Sequence, residues 1–120
     1  MLNLDTHILV AALGGDLTER ERVLVTNDSL AVSDIVLWEL AKLVQLGRLE
    51  LDMDSVAFRR SLRHLLIIPI TIQIARQSTA LDFRSDPADE IIAATSVVER
   101  IPLLTRDRKI LTSRVVPPVK

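Results

Sequence analysis

Asp86-Pro87-Ala88-Asp89-Glu90-Ile91-Ile92-Ala93-Ala94-Thr95, running on to Arg100 and then into Pro102-Leu103-Leu104-Thr105, is the stretch that decides the fold. Proline suits the first position of a helix, where its missing N–H leaves no bond unmade, and an aspartate before it is a good cap. Ile91, Ile92, Ala94, Val97 and Val98 then recur at helical spacing to about Arg100. Pro102-Leu103-Leu104-Thr105 follows as a short apolar strand, and Asp107 is placed to cap a short helix to Leu111. A helix feeding a short apolar strand is the repeating unit of a parallel sheet.

The alternation extends along the chain. Leu2 to Leu4 reads as a first strand, and Ile8 to Leu13 as an apolar helix stopped by Gly14-Gly15. Thr18-x-x-Glu21 has the spacing of a capping box, opening a helix to about Thr26 before a turn at Asn27-Asp28. Leu30-Ala31-Val32 is a second strand, with Ser33 as cap for a long helix over Asp34 to Leu46 that ends at Gly47. Asp54 is placed to cap a helix over Ser55 to Leu65. Leu66 to Ile70 is a continuous apolar run, the pattern of a strand covered on both faces. A helix near Ile72 to Ala80, a polar loop from Asp82 to Ser85, and an edge strand at Val115-Val116 closed by Pro117-Pro118 complete the reading. The expected fold class is α/β: a three-layer α/β/α sandwich around a mainly parallel sheet, in one domain spanning residues 1–120.

Composition narrows the function. The chain has 120 residues, 48% hydrophobic, enough for one core, and a net charge of −1 that rules out a strongly basic nucleic-acid coat. Twelve of its 15 basic residues are arginine, whose planar fork suits phosphate and carboxylate partners. There is no cysteine, so disulfides and thiolate zinc sites are excluded. Only Trp38, Phe58 and Phe83 are aromatic, too few for base-stacking platforms. No apolar run approaches the roughly 18 residues of a membrane span, and the opening lacks the features of a secretory signal. A cytoplasmic setting with no membrane partner is expected. Three glycines allow neither a P-loop nor a dinucleotide turn, and no serine sits in a nucleophile elbow. His7 and His64 lie far apart, with His64 read as a surface residue.

Acidic residues carry what chemistry remains. Ligand sites in open parallel sheets lie beyond the carboxyl ends of the strands. Asp5 directly follows the first strand, and Asp107 follows the one at Leu103-Leu104. Asp86 and Asp89 open one helix, and Glu39 sits on a mostly apolar one. Converging there, they would suit a hard divalent cation such as Mg²⁺, which prefers oxygen ligands. Each also has an ordinary reading. Asp5 ends a strand, Asp107 caps a helix, and Asp86 and Asp89 complement a helix dipole. Glu39 belongs to a polar stripe with Lys42 and Gln45, and would pair with Lys42.

Taken together, four segments resemble the PIN-domain family, and within it the VapC-type toxins of toxin–antitoxin pairs. They are Leu4-Asp5-Thr6-His7, then Ser33 through Lys42 with Leu46-Gly47-Arg48-Leu49, then Asp86 through Thr95, then Leu103-Leu104-Thr105-Arg106-Asp107. They occur in the family's order and spacing. The resemblance implies an endoribonuclease using Mg²⁺ or Mn²⁺, with Asp5, Glu39, Asp89 and Asp107 as catalytic metal ligands and Thr6 and Thr105 in support. It further implies a homodimer and a cognate antitoxin partner. Lys42, Arg84, Arg106 and Arg108, near the acids in sequence, are candidate contacts for RNA phosphates, and equally ordinary surface charges. Two features depart from the family: Arg84 stands where a histidine is frequent, and the tail after Val116 carries no tryptophan. Competing readings are a PIN nuclease of RNA maturation, a receiver-type phosphoacceptor domain, and a PIN domain that only binds a partner. The lone Asp5 after strand one argues against a receiver.

Overall fold

Four strands too short to stand alone are held by the helices between them. A computed structural model describes residues 1–120. The strands are β1 (Leu2–Leu4), β2 (Leu30–Ser33), β3 (Leu65–Ile68) and β4 (Leu103–Leu104). They form one sheet in the order β3-β2-β1-β4, and every neighbouring pair is parallel. Parallel neighbours require a crossover, and six helices supply the three of them: α1 (Thr6–Gly14) and α2 (Glu19–Thr26), α3 (Ile35–Gln45) and α4 (Val56–Leu62), α5 (Ile72–Gln77) and α6 (Pro87–Glu99); α7 (Arg108–Leu111) follows β4. The α/β expectation holds.

Strand register sorts the side chains between the faces. Asn3 pairs with Ala31 across β1 and β2, so both point the same way. That face meets α6: the Asn3 side-chain amide donates to the Ile92 carbonyl (3.2 Å) and to Ser96 Oγ (2.9 Å). Ala31 packs with Ile68, Ile74 of α5 and Ala94 of α6. The alternate residues Leu2, Leu4 and Val32 join the larger core with Ile8, Phe58 and Ile110. The sheet is thus the middle of three layers.

The strand order fixes where a site can form. From β1 the chain moves outward to β2 and β3, then returns to the opposite side of β1 as β4. The chain thus leaves β1 towards one side and enters β4 on the other, and a crevice opens beyond the carboxyl ends of β1 and β4. Asp5 follows β1, and Thr105 follows β4.

Local signals explain most boundaries. The capping box at α2 forms with both its bonds, Glu21 N–H to Thr18 Oγ1 (3.2 Å) and Thr18 N–H to Glu21 Oε1 (2.9 Å). Gly15 ends α1 in the left-handed region at φ 73°, which a side chain would resist.

Several expectations are corrected. The apolar run after α4 forms β3 over Leu65–Ile68, not Leu66 to Ile70, and β3 lies at the sheet edge. Leu65 and Ile67 pack against the larger core and Ile68 against the smaller one, so both faces are met, yet Leu66 stays 51% exposed at the edge. Val115-Val116 form no strand; pairing at that edge is a single bridge between Leu103 and Pro118, because a proline cannot donate to extend the ladder. Helix α4 stops at Leu62, and its cap is Ser55, whose hydroxyl accepts from Phe58 N–H, not Asp54. Helix α1 begins at Thr6, before Ile8. Ser33 ends β2, leaving Asp34 as the residue before α3.

Candidate functional site

Asp5 is the pivot of the crevice. It precedes α1, and its main-chain carbonyl accepts the helix's bond from Leu9 N–H, yet its side chain makes no capping bond. The ordinary reading of this carboxylate as a turn or cap therefore fails. Asp5 is only 3% exposed. Its Oδ2 accepts from the Thr105 hydroxyl at 2.6 Å, and its Oδ1 is buried with no partner. A buried carboxylate oxygen without a donor is costly, and this one faces the crevice.

The other acids arrive on separate elements. Glu39, on α3, accepts from the Thr6 hydroxyl at 2.5 Å. Burial pushes its pKa up; the Asp89 and Asp5 charges add to the rise, while the Thr6 bond and His7 oppose it. Asp89, in the first turn of α6, accepts from the Ser85 hydroxyl at 2.9 Å. Burial likewise raises its pKa, Asp5, Asp107 and Asp86 push the same way, and the Ser85 bond opposes them. Asp107 spends Oδ1 on capping α7 through Lys109 N–H (2.9 Å). Its own N–H donates to Thr105 Oγ1 at 3.0 Å. A single hydroxyl thus links Asp5 to Asp107. Carboxylates from four segments repel one another across one crevice.

The donor set suits a hard divalent cation: it is oxygen only, it is anionic, and it includes the unpartnered Asp5 Oδ1. No three of the carboxylates stand drawn together tightly enough to enclose one ion in this structure. Asp5, Glu39, Asp89 and Asp107 are the carboxylates that would hold such an ion, and Thr105, Thr6 and Ser85 donate hydroxyl bonds to Asp5, Glu39 and Asp89.

Asp86 stays apart as the residue before α6, exposed and without a side-chain capping bond. Of the four basic candidates, Lys42 turns to Gln45 Oε1 (3.1 Å) and lies 5.7 Å from the centre of the Trp38 ring. It does not pair with Glu39. Arg84 is exposed, on a cleft it shares with Phe83, Ser85 and Glu90. Arg108 is exposed on α7. Arg106 is committed elsewhere: its guanidinium grips Glu21 with Nε–Oε2 at 2.9 Å and Nη2–Oε1 at 2.6 Å, and Nη2 also donates to the Asp16 carbonyl at 3.2 Å.

Sequence reasoning passed over three residues here. His7 lines a cleft of about 520 Å³ with Asp5, Asp16, Arg106 and Asp107; its place two positions after Asp5 was the available signal. Ser85 orients Asp89 from four residues upstream, a spacing visible in the sequence. Glu21, recognised only as a cap, has no local signature of its second role.

A four-stranded parallel sheet presenting four acids beyond its switch point defines an α/β protein with an anionic, cation-seeking crevice. The PIN domain family model matches residues 3–114, and the chain belongs to that family. Ribonuclease VapC22 of Mycobacterium tuberculosis is 35% identical over 95 residues, covering 77% of this chain and 73% of that protein. Among solved structures, a toxin–antitoxin complex from Klebsiella pneumoniae aligns with TM-score 0.72 and 24% identity over 93% of this chain and 91% of that one. VapBC2 from Rickettsia felis, bound to a DNA fragment from their promoter, aligns with TM-score 0.70 and 21% identity over 99% and 98%. FitAcB from Neisseria gonorrhoeae gives 0.72 and 20% over 100% and 97%. At such identities these structures attest the shared fold. No helix is long and apolar enough to cross a membrane.

Proposed function

We propose that this chain is a divalent-metal-dependent endoribonuclease, the toxin of a toxin–antitoxin pair, with Asp5, Glu39, Asp89 and Asp107 as the ligands of Mg²⁺ or Mn²⁺. The observation that carries the reading is the buried, unpartnered Oδ1 of Asp5, with the Asp5 charge close enough to oppose the ionisation of both Glu39 and Asp89, and Asp107 that of Asp89. Membership of the PIN domain family and likeness to a protein named as a ribonuclease point the same way.

The cation, when bound, supplies Lewis acidity, lowering the pKa of water and stabilising charge on the leaving oxygen. The chain's residues do the rest. Thr105 and Thr6 hold Asp5 and Glu39 in fixed rotamers through their hydroxyls. Glu39 or Asp89 would also orient the attacking water through a carboxylate oxygen that the cation does not engage. The net charge near zero provides little long-range attraction for RNA, so affinity rests on the metal site and a few cations such as Arg84 and Arg108.

The partners are a cognate antitoxin and a second copy of the chain, in the cytoplasm, and the molecule is one domain. Exposed apolar side chains on several elements support protein partners: Trp38, Leu46, Val56, Leu66 and Ile72, the last 80% exposed. Leu37 and Val44 of α3 are only half-buried and add to that surface. The test pairs two experiments. Purified protein should cleave RNA with Mg²⁺ or Mn²⁺ and stop with chelator, Asp5→Asn being inactive; cleavage undiminished in excess chelator would sink the mechanism. Expression alone should arrest growth, relieved by the short reading frame beside it. Normal growth with soluble, cleavage-competent protein would favour an RNA-maturation role.

A further inference from the structure

Glu21 is a charged side chain only 7% exposed, 85 residues from its partner in sequence and outside all four acidic segments. Both of its oxygens are occupied. Oε1 accepts from Thr18 N–H and Arg106 Nη2, and Oε2 accepts from Arg106 Nε. Burying a carboxylate is favourable only with such compensation, and the Arg106 fork supplies it, holding the Glu21 carboxyl down at about 2. Arg106 also binds the Asp16 carbonyl, so α2 and the loop before it are fastened to the segment between β4 and α7.

That segment matters because of its neighbours. Arg106 lies between Thr105, whose hydroxyl donates to Asp5, and Asp107, whose N–H donates to the same hydroxyl. The Arg106 fork is the segment's one ion pair; its other side-chain bonds are those of Thr105 with Asp5 and Asp107 and the cap of α7. A surface arginine serving RNA would keep its fork free, whereas here Nε and Nη2 are both used within the fold.

We propose that Glu21 and Arg106 form a positioning clamp that fixes the Thr105–Asp107 segment, and so sets Asp5 and Asp107 for holding the divalent cation. Arg106 is on this view not a phosphate contact. The inference rests on the metal-site reading above and names residues that act through the ligands.

Glu21→Gln is a clean probe, because glutamine keeps the capping box while losing the charge. Arg106→Lys keeps the charge but loses the fork. The measurement is the Mn²⁺ concentration at half-maximal thermal stabilisation, beside kcat and the RNA KM. Both variants should raise the Mn²⁺ midpoint and lower kcat by about tenfold, the scale for residues supporting metal ligands, with KM for RNA nearly unchanged. An Arg106→Lys protein with wild-type midpoint and kcat would overturn the clamp, as would a rise confined to KM, which would make Arg106 an RNA contact. Should Glu21→Gln fail to fold, Arg106→Lys, at a half-exposed position, decides alone. If the unmodified chain shows no Mn²⁺ stabilisation, the metal-site reading falls and this inference with it; a responsive parent beside variants with the same midpoint and kcat removes this inference only.

Discussion

Asn3 is the residue through which the sheet holds α6, and α6 carries Asp89. It is fully buried, donates to Ile92 and Ser96, and leaves its own Oδ1 without a partner. Asn3→Ala removes two hydrogen bonds worth about 1 kcal/mol each. The hollow left in a packed layer adds about 1 kcal/mol, and removing the orphaned oxygen returns about 1–2 kcal/mol. The net cost is about 1–2 kcal/mol, a fall in Tm of about 4–8 °C for a domain of this size. Asn3→Leu differs instructively. It fills the space and removes the orphan, so its stability should stay within about 1 kcal/mol of the parent. Both variants release the tether one turn from Asp89, and a misplaced ligand should cost cleavage about tenfold or more. The assay is denaturant unfolding of metal-free protein, followed by RNA cleavage at saturating metal. A stable Asn3→Leu protein with full turnover would refute the reasoning, because α6 would then be placed by apolar packing alone.

Asp89→Asn should abolish most cleavage, by about 100-fold or more, and raise the metal-free Tm at neutral pH. Its pKa is raised in the fold by burial and by Asp5, Asp107 and Asp86, so the ionised form opposes folding. Stability from this group is complete below the ordinary 3.8 and is lost as pH rises through the folded value, so the gain in Tm should vanish in acid. Differential scanning fluorimetry across pH reads it, and an equal gain at every pH would contradict the cause given. Asp86→Ser, at an exposed position without a capping bond, should leave Tm and activity within error, whereas Asp89→Ser should be inactive; the reverse pattern would misplace the third ligand. Glu21 shifts the other way, from 4.5 to about 2, so its contribution is present above 4.5 and lost as pH falls toward 2. Glu21→Gln should flatten acid unfolding within that window, read by circular dichroism; an unchanged acid limb would mean the pair contributes nothing.

What the sequence disclosed divides by range of interaction. Helix α6 and strand β4 were legible because their signals are local: a proline at the first helical position, a 3.6-residue apolar period, then a short apolar run. The capping box at Thr18 and Glu21 was legible for the same reason. The exposure of Leu66 on β3 was not legible, because an apolar run records side-chain chemistry, not how many strands flank it, and the edge position emerges only from the crossovers. The ordinary reading of Glu39 paired it with a neighbour three residues on, Lys42, but its partner is Thr6, 33 residues away, because α3 turns that face toward α1. Arg106 shows the limit most clearly. Adjacency to Asp107 suggested a phosphate contact, while its actual partner, Glu21, had already been accounted for as a cap. A capping-box glutamate needs only one oxygen for the cap and has a second to offer. When such a residue is also buried, the spare oxygen demands a donor, and an arginine beside an acidic motif is then better read as that donor than as a free cation.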